Sequence, residues 1–196
     1  MTGPFHINNA QKHLALGGIV AVPTDTVYGL AVDARNDSAV VKLFAVKERH
    51  PDKPLPIMIA DQSVLNEVAV DIHPAVRKLV EKHWPGALTI VLKKSPAISD
   101  LVSGGGETVG IRIPDHQFML ELLKKFGRPL AVTSANISGE PPCMDYQSVK
   151  EKFEGLVSYI VPGEVEHKQI STVADFTKDP PVILRGGLIQ LEISSH

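Results

Sequence analysis

Four short runs of this 196-residue chain are apolar or nearly so: Ile19 to Val22, Leu55 to Ala60, Ala87 to Leu92 and Leu130 to Thr133. Each is bounded by Gly, Pro or polar turn formers, and each is too short for a buried helix. Such runs read as strands covered on both faces. Between them lie helical patterns. One follows Asn8 or Asn9 and runs to Leu16, where Gly17-Gly18 ends it. A second starts at Asp37 or Ser38. Ser63 heads a third, and His73 to His83 forms a fourth with Pro74 in its first turn. Asp115 to Phe126 and Asp145 to Phe153 complete the set. Thr108 to Ile113 alternates, with Val109, Ile111 and Ile113 on one face and Thr108, Gly110 and Arg112 on the other. Short strands are expected at Val157 to Val161, Thr172 to Phe176 and Val182 to Leu184, the last two hairpin-like. Interleaved strands and helices without a linker or repeat predict one α/β domain over residues 1–196, with a largely covered, mixed sheet.

The stretch from Val46 to Pro54 contains Lys47, Arg49 and Lys53 at the end of the second helix. Val40, Leu43 and Phe44 make that helix's apolar stripe, and Lys47 is the stripe's next position. An ammonium where a core residue belongs needs compensation, because an unpaired buried charge is costly. Pro51 disfavours helix at His50, which puts Arg49 and Lys53 on a turn. Taken alone, the stretch also fits a basic helix end that complements the macrodipole.

Bulk properties narrow the classes. The net charge of −2 gives no global basic field for nucleic acid. The single cysteine, Cys143, cannot form an intrachain disulfide and suits a reducing compartment. The first eighteen residues lack the basic-then-apolar pattern of a signal peptide. No apolar run reaches the ~20 residues of a membrane helix. A cytoplasmic location without membrane association is the expectation.

Several familiar sites are missing. Gly104-Gly105-Gly106 is followed by Glu107 rather than the lysine of a P-loop, and there is no Gly-x-Ser-x-Gly, His-Glu-x-x-His or cysteine cluster. The eight histidines are scattered singly, so no metal site is expected. What remains are polar groups at the ends of apolar strands: Thr24, Asp25 and Thr26, then Ser134 and Asn136, with Arg112 and Arg185 on other strands. In open α/β sheets the carboxyl ends of strands are the usual ligand crevice. Arginine forks with hydroxyl and amide groups suit a phosphorylated ligand, a nucleotide among the candidates, together with a small polar zwitterion.

Pro23-Thr24-Asp25-Thr26-Val27-Tyr28-Gly29-Leu30, Lys47-Glu48-Arg49, Lys53-Pro54-Leu55, Ser134-Ala135-Asn136-Ile137-Ser138-Gly139, Ser171-Thr172-Val173 and Arg185 occur in that order. Together they resemble the YrdC/TsaC family of threonylcarbamoyl-AMP synthases, over about residues 17–187. The resemblance implies a twisted α/β fold around an open, positively charged cavity. It also implies a reaction in which L-threonine, bicarbonate and ATP give L-threonylcarbamoyladenylate and pyrophosphate. Other proteins then transfer the threonylcarbamoyl group to an adenosine of tRNA. The family signature falls on Lys47, Arg49, Ser134 and Asn136, which carry the implied catalytic roles. Thr26, Arg112, Ser134 and Ser171 resemble threonine contacts. Lys47, Arg49, Lys53, Thr108, Asn136 and Arg185 resemble ATP contacts. Mg2+ is expected to arrive with ATP.

Met58 stands where some members have a histidine, and Met144 where some have a hydroxyl residue. The extra domain of longer relatives is not expected, which suggests the short, single-domain type. Direct binding of tRNA or other RNA is a further expectation. An RNA-binding module without catalysis is the alternative reading, and aromatic residues at 5% make base stacking a poor basis for it.

Overall fold

A computed structural model describes residues 3–167 and 169–191. Its elements run α1 (Pro4–Ala15), β1 (Val20–Val22), β2 (Gly29–Asp33), α2 (Asp37–Lys47), β3 (Ile57–Met58), α3 (Leu65–Val68), α4 (Pro74–His83), β4 (Leu88–Lys93) and α5 (Asp100–Ser103). They continue with β5 (Thr108–Arg112), α6 (Gln117–Phe126), β6 (Leu130–Ser134), α7 (Tyr146–Phe153), β7 (Tyr159–Ile160), β8 (Thr172–Asp175) and β9 (Val182–Arg185). Among the described residues the strands form one nine-stranded sheet in the order β7-β1-β2-β6-β3-β5-β4-β8-β9. Pairs β1–β7, β3–β5 and β4–β8 are parallel, and the rest are antiparallel, so the sheet is mixed as its strand spacing predicts. β8 and β9 form the expected hairpin-like pair.

The helices start where backbone geometry and side-chain caps allow, which moves several expected boundaries. α1 begins at Pro4 rather than after Asn8, because proline at a first-turn position loses no helical hydrogen bond. Asn36, not Asp37 or Ser38, caps α2 by accepting a bond from the Ala39 N–H at 3.1 Å. Asp61 rather than Ser63 caps a short 3-10 turn that leads into α3. α6 is preceded by His116, with no side-chain cap from Asp115. β3 shrinks to two residues because Pro54 and Pro56 remove ladder donors. It still lies between β6 and β5, at the middle of the sheet.

Coverage of the sheet positions the site. One face is lined by Leu30, Val32, Ile57, Ile90, Val109 and Ile111, and it packs on α2, α3, α4, α5 and α7 through residues such as Leu43, Leu65, Val80, Val102 and Phe153. Each such side chain contributes roughly 1.5–3 kcal/mol of burial. The opposite face is covered only in part. Val20, Val22, Ala31, Leu130 and Val132 pack against Ile7 and Leu14 of α1 and Phe118, Leu122 and Phe126 of α6. Beyond β3, towards β5, β4 and β8, neither helix contributes to this face, and a cavity lies there.

Candidate active site

The cavity has a volume of about 420 Å³ and spreads over the partly covered face from β2 to β9. It is lined at several strand carboxyl ends, as expected, by Thr26 after β1, Arg112, Ser134 and Arg185, and it also spreads over the face of the sheet. The reason is local. Gly29 and Gly110 leave gaps in the side-chain layer, and a Cβ at Gly29 would come within 2.7 Å of Val132 Cγ1. Cross-strand register then brings distant segments together: Gly29 pairs with Ser134, Met58 with Arg112, and Val173 with Arg185.

Of the residues expected from sequence, Thr26, Arg49, Arg112, Ser134, Asn136, Ser171 and Arg185 line this cavity. Lys47, Lys53 and Thr108 do not. Thr108 lies on the same strand face as Arg112 but at the far end of β5, opposite Lys93. Lys53 is exposed on the turn after α2, where its carbonyl accepts a weak bond from Arg49 Nε at 3.4 Å. Met58 is buried in the lining, and Met144 is half-buried outside it.

Lys47 is 1% exposed and sits behind the wall. Its ammonium donates to Ser134 O at 2.6 Å, Asn136 O at 2.8 Å and Asn136 Oδ1 at 3.0 Å. Three donors meet three acceptors, which is how the apolar stripe of α2 accommodates a cation. The Lys47 carbonyl also accepts from the Ser138 N–H at 2.8 Å, so the end of α2 anchors the loop at two points. Burial first, and the nearby Arg49 charge second, push the Lys47 pKa down to about 8. The Asn136 amide is spent inside the protein. Its oxygen accepts from Lys47 and from Ser134 Oγ at 2.6 Å, and its nitrogen donates to the carbonyls of Ile137 and Glu140. Ser134 therefore gives its hydroxyl proton to Asn136 and keeps lone pairs for a donor in the cavity.

Helix α2 ends with Glu48 in the left-handed region at φ 51°, which turns the chain so that Arg49 leaves the helix axis. Arg49 is half-buried, and its Nη2 donates to Pro54 O at 2.9 Å. It also borders a second hollow, of about 490 Å³, between the outer face of α2 and Leu101. That hollow shares only Arg49 with the polar cavity, and its other polar lining residues are Glu48 and His50.

Arg112 is 4% exposed and held on three sides. Nε donates to Gly86 O at 2.8 Å, Nη1 to Thr26 Oγ1 at 3.0 Å and Nη2 to Asp25 Oδ2 at 2.5 Å. Burial lowers its pKa, and the Asp25 carboxylate opposes that shift. Arg185 donates through Nε to Ser171 O and through Nη2 to Ser171 Oγ, at 3.1 and 2.8 Å.

Two contributors, Thr89 and Glu140, were not among the expected site residues, and for a third, Asp25, only the partner was not. Thr89 lines the cavity 3.2 Å from Ser171 Oγ, and its signal was a hydroxyl inside an otherwise apolar strand. Asp25 was visible as a turn residue, but its pairing with Arg112 is a tertiary fact. Glu140 lines the cavity and pairs with Lys152 at 2.5 Å. Cys143 is buried, and burial raises its pKa, so it offers no activated thiolate. No group of three or more metal-ligating side chains occurs among the described residues. Among the described residues the cavity lining holds no aromatic ring for stacking a base. No helix of the described residues is long and apolar enough to cross a membrane.

Chemically, the arrangement offers donors for anionic oxygens from Arg49, Arg112 and Arg185, and hydroxyls from Thr26, Thr89, Ser134 and Ser171 for orientation. The Sua5/YciO/YrdC family model, described as "Telomere recombination", matches residues 12–187. A threonylcarbamoyl-AMP synthase of Pyrococcus abyssi is 42% identical over 189 residues, covering 96% of this chain and 56% of that protein. One from Bacillus subtilis is 41% identical over 193 residues, covering 97% of this chain and 56% of that protein. The crystal structure of P. abyssi Sua5 complexed with L-threonine superposes with a TM-score of 0.90 at 41% identity, covering 92% of this chain and 54% of that one. The chain thus spans about half the length of these relatives.

Proposed function

Because the chain belongs to the Sua5/YciO/YrdC family, we propose that it makes L-threonylcarbamoyladenylate and pyrophosphate from L-threonine, bicarbonate and ATP, a nucleotidyl transfer. The observation that carries this reading is the meeting of an amino-acid-sized polar corner with exposed guanidinium groups in one cavity. Thr26, Arg112, Ser134 and Ser171 supply the first, and Arg49 and Arg185 the second. The threonine complex of the P. abyssi relative supports it.

In this reading Arg112 binds the threonine carboxylate, and the Ser134 lone pairs accept from the amine. The free amine attacks bicarbonate to give an N-carboxylate and water. A carboxylate oxygen then attacks the α-phosphorus as the bond to pyrophosphate breaks. Such a step needs in-line positioning and charge neutralisation rather than a protein nucleophile. Arg49 and Arg185 would neutralise the phosphates. Lys47 would act by holding Ser134 and Asn136 in place, and Lys53 and Thr108 would be outlying nucleotide contacts. Magnesium enters as MgATP. Among the described residues Glu140 is the one carboxylate residue in the cavity lining, and Lys152 already pairs with it, so the phosphates themselves would supply most of the metal's ligands.

The product would pass to proteins that modify tRNA, which fits an enzyme working in the cytoplasm. The test is pyrophosphate release with threonine and bicarbonate supplied together and then each omitted. Release only with both is expected, and release independent of threonine would overturn the assignment. Salt-sensitive RNA affinity without turnover would favour the RNA-binding alternative instead.

A further inference from the structure

The three arginines lining the cavity differ in what offsets their charge. The Arg112 guanidinium meets the Asp25 carboxylate at 2.5 Å, with side-chain exposures of 5% and 0%. Among the described residues no carboxylate oxygen lies within 4 Å of Arg49 or Arg185. Arg49 donates to the carbonyls of Lys53 and Pro54, and Arg185 to the carbonyl and hydroxyl of Ser171. Arg112 and Asp25 therefore form a neutral unit that still offers N–H donors to the cavity, whereas Arg185 keeps its net positive charge and Arg49 is offset only by Asp52 from beyond ion-pair distance. Asp25 also keeps one buried oxygen, Oδ1, with no hydrogen-bond partner among the described residues.

We infer that Asp25, acting through Arg112 as a positioning residue, sets the class of ligand this corner accepts: a zwitterionic amino acid rather than an anion. The inference rests on the proposed use of threonine and ATP. A bare anion beside a neutral pair gains directed hydrogen bonds but no net charge attraction. An amino acid gives its carboxylate to Arg112 and brings an ammonium, which the lone pairs of Ser134 Oγ favour and which Asp25, by cancelling the Arg112 charge, keeps from being repelled. Polyphosphate finds its net attraction at Arg49 and Arg185. The two substrates thus meet different local charge within one cavity, the neutral pair at Arg112 and the uncancelled charge of Arg185, which touches the corner through Ser171.

Asp25→Asn tests this, because the amide keeps an oxygen acceptor for Arg112 while removing the charge. Calorimetric titration of the full chain with L-threonine, with its deaminated analogue 3-hydroxybutyrate and with sulfate is the measurement, and thermal melting checks the fold. In the wild type, threonine should bind at least about tenfold more tightly than 3-hydroxybutyrate, and sulfate should not compete with it. Asp25→Asn should lose about tenfold or more in threonine affinity and gain competition by sulfate. A folded variant with unchanged threonine affinity and no sulfate competition would overturn the inference and leave the proposed activity standing. If the variant does not fold, the wild type decides, since equal binding of 3-hydroxybutyrate or displacement of threonine by sulfate also overturns it. A wild type that binds no threonine removes the proposed activity and this inference together.

Discussion

Lys47 and Arg112 are both cations shut inside the protein, 1% and 4% exposed, yet their surroundings are opposite. Neutral oxygens from Ser134 and Asn136 surround Lys47, so its charge is solvated but not cancelled. A buried carboxylate cancels the charge of Arg112. The first arrangement ties a loop to a helix end and keeps a titratable group behind the cavity wall. The second presents a fixed, neutral fork to a ligand. Arg49, two residues from Lys47 and half-buried, is the contrast to both, since it faces the cavity with its charge unpaired among the described residues. A buried cation is therefore informative only when its partner is known, because the partner decides whether it anchors, recognises or attracts.

The sharpest way to break this comparison is Arg112→Met. It leaves Asp25 buried without its partner, and urea denaturation should show a loss of about 3–5 kcal/mol. A loss below about 1 kcal/mol, the size of an exposed pair, would mean that the corner is not the dry, coupled unit described here. Lys47→Met is the next largest. It strips a donor from three acceptors and frees the Ser134–Asn136 loop, with a cost of about 1–3 kcal/mol. Adenylate formation should fall by roughly a hundredfold through misplacement of Ser134. Lys47→Arg should not restore it, because a planar fork cannot converge on acceptors grouped around one point.

Arg49→Ala should leave stability within about 0.5 kcal/mol, since the side chain is half-buried and bonded only to exposed turn carbonyls. It should raise the KM for ATP about tenfold while leaving the KM for threonine unchanged. An equal rise in both would place Arg49 with the amino-acid corner.

The smallest effect concerns pH. The Lys47 pKa falls from 10.5 in the unfolded chain to about 8 in the folded one, so between these values the unfolded chain holds more protons. Near neutrality the rise in stability with pH is small, less than about 0.5 kcal/mol between pH 7 and pH 8, and it steepens only through that window. Activity should move the other way, because a neutral amine leaves one loop acceptor unserved. A 13C NMR titration of the Lys47 ε-carbon checks this, and a midpoint near 10 would separate Lys47 from any alkaline loss of activity.

The covered strands were legible because four apolar runs between turn formers have few alternatives; β1 and β3 fall within them, and β4 and β6 each run one residue past the end. Caps were less legible. Asn36, Asp37 and Ser38 are all good cap formers, and only the chain path picks Asn36. The anomalous Lys47 was readable from helical periodicity, and so was the polar face shared by Thr108, Gly110 and Arg112. The position of the cavity was legible in part, since strand-end residues Thr26, Arg112, Ser134 and Arg185 line it. Its spread over the sheet face was not, because that depends on α1 and α6 covering only half of the face.

From sequence alone came the element types, the single α/β domain and the ordered set of motifs from Pro23 to Arg185, because each depends on spacing along a few residues of chain. Tertiary structure decided the partners. Lys47 meets Asn136 across 89 positions and Arg112 meets Asp25 across 87. Such contacts follow from a sheet order that places β6 beside β2 and β5 beside β3, and no local period encodes that order. Charge compensation is a property of neighbours in space, so the same cation count leaves open which arginine is neutral and which is free until the sheet is assembled.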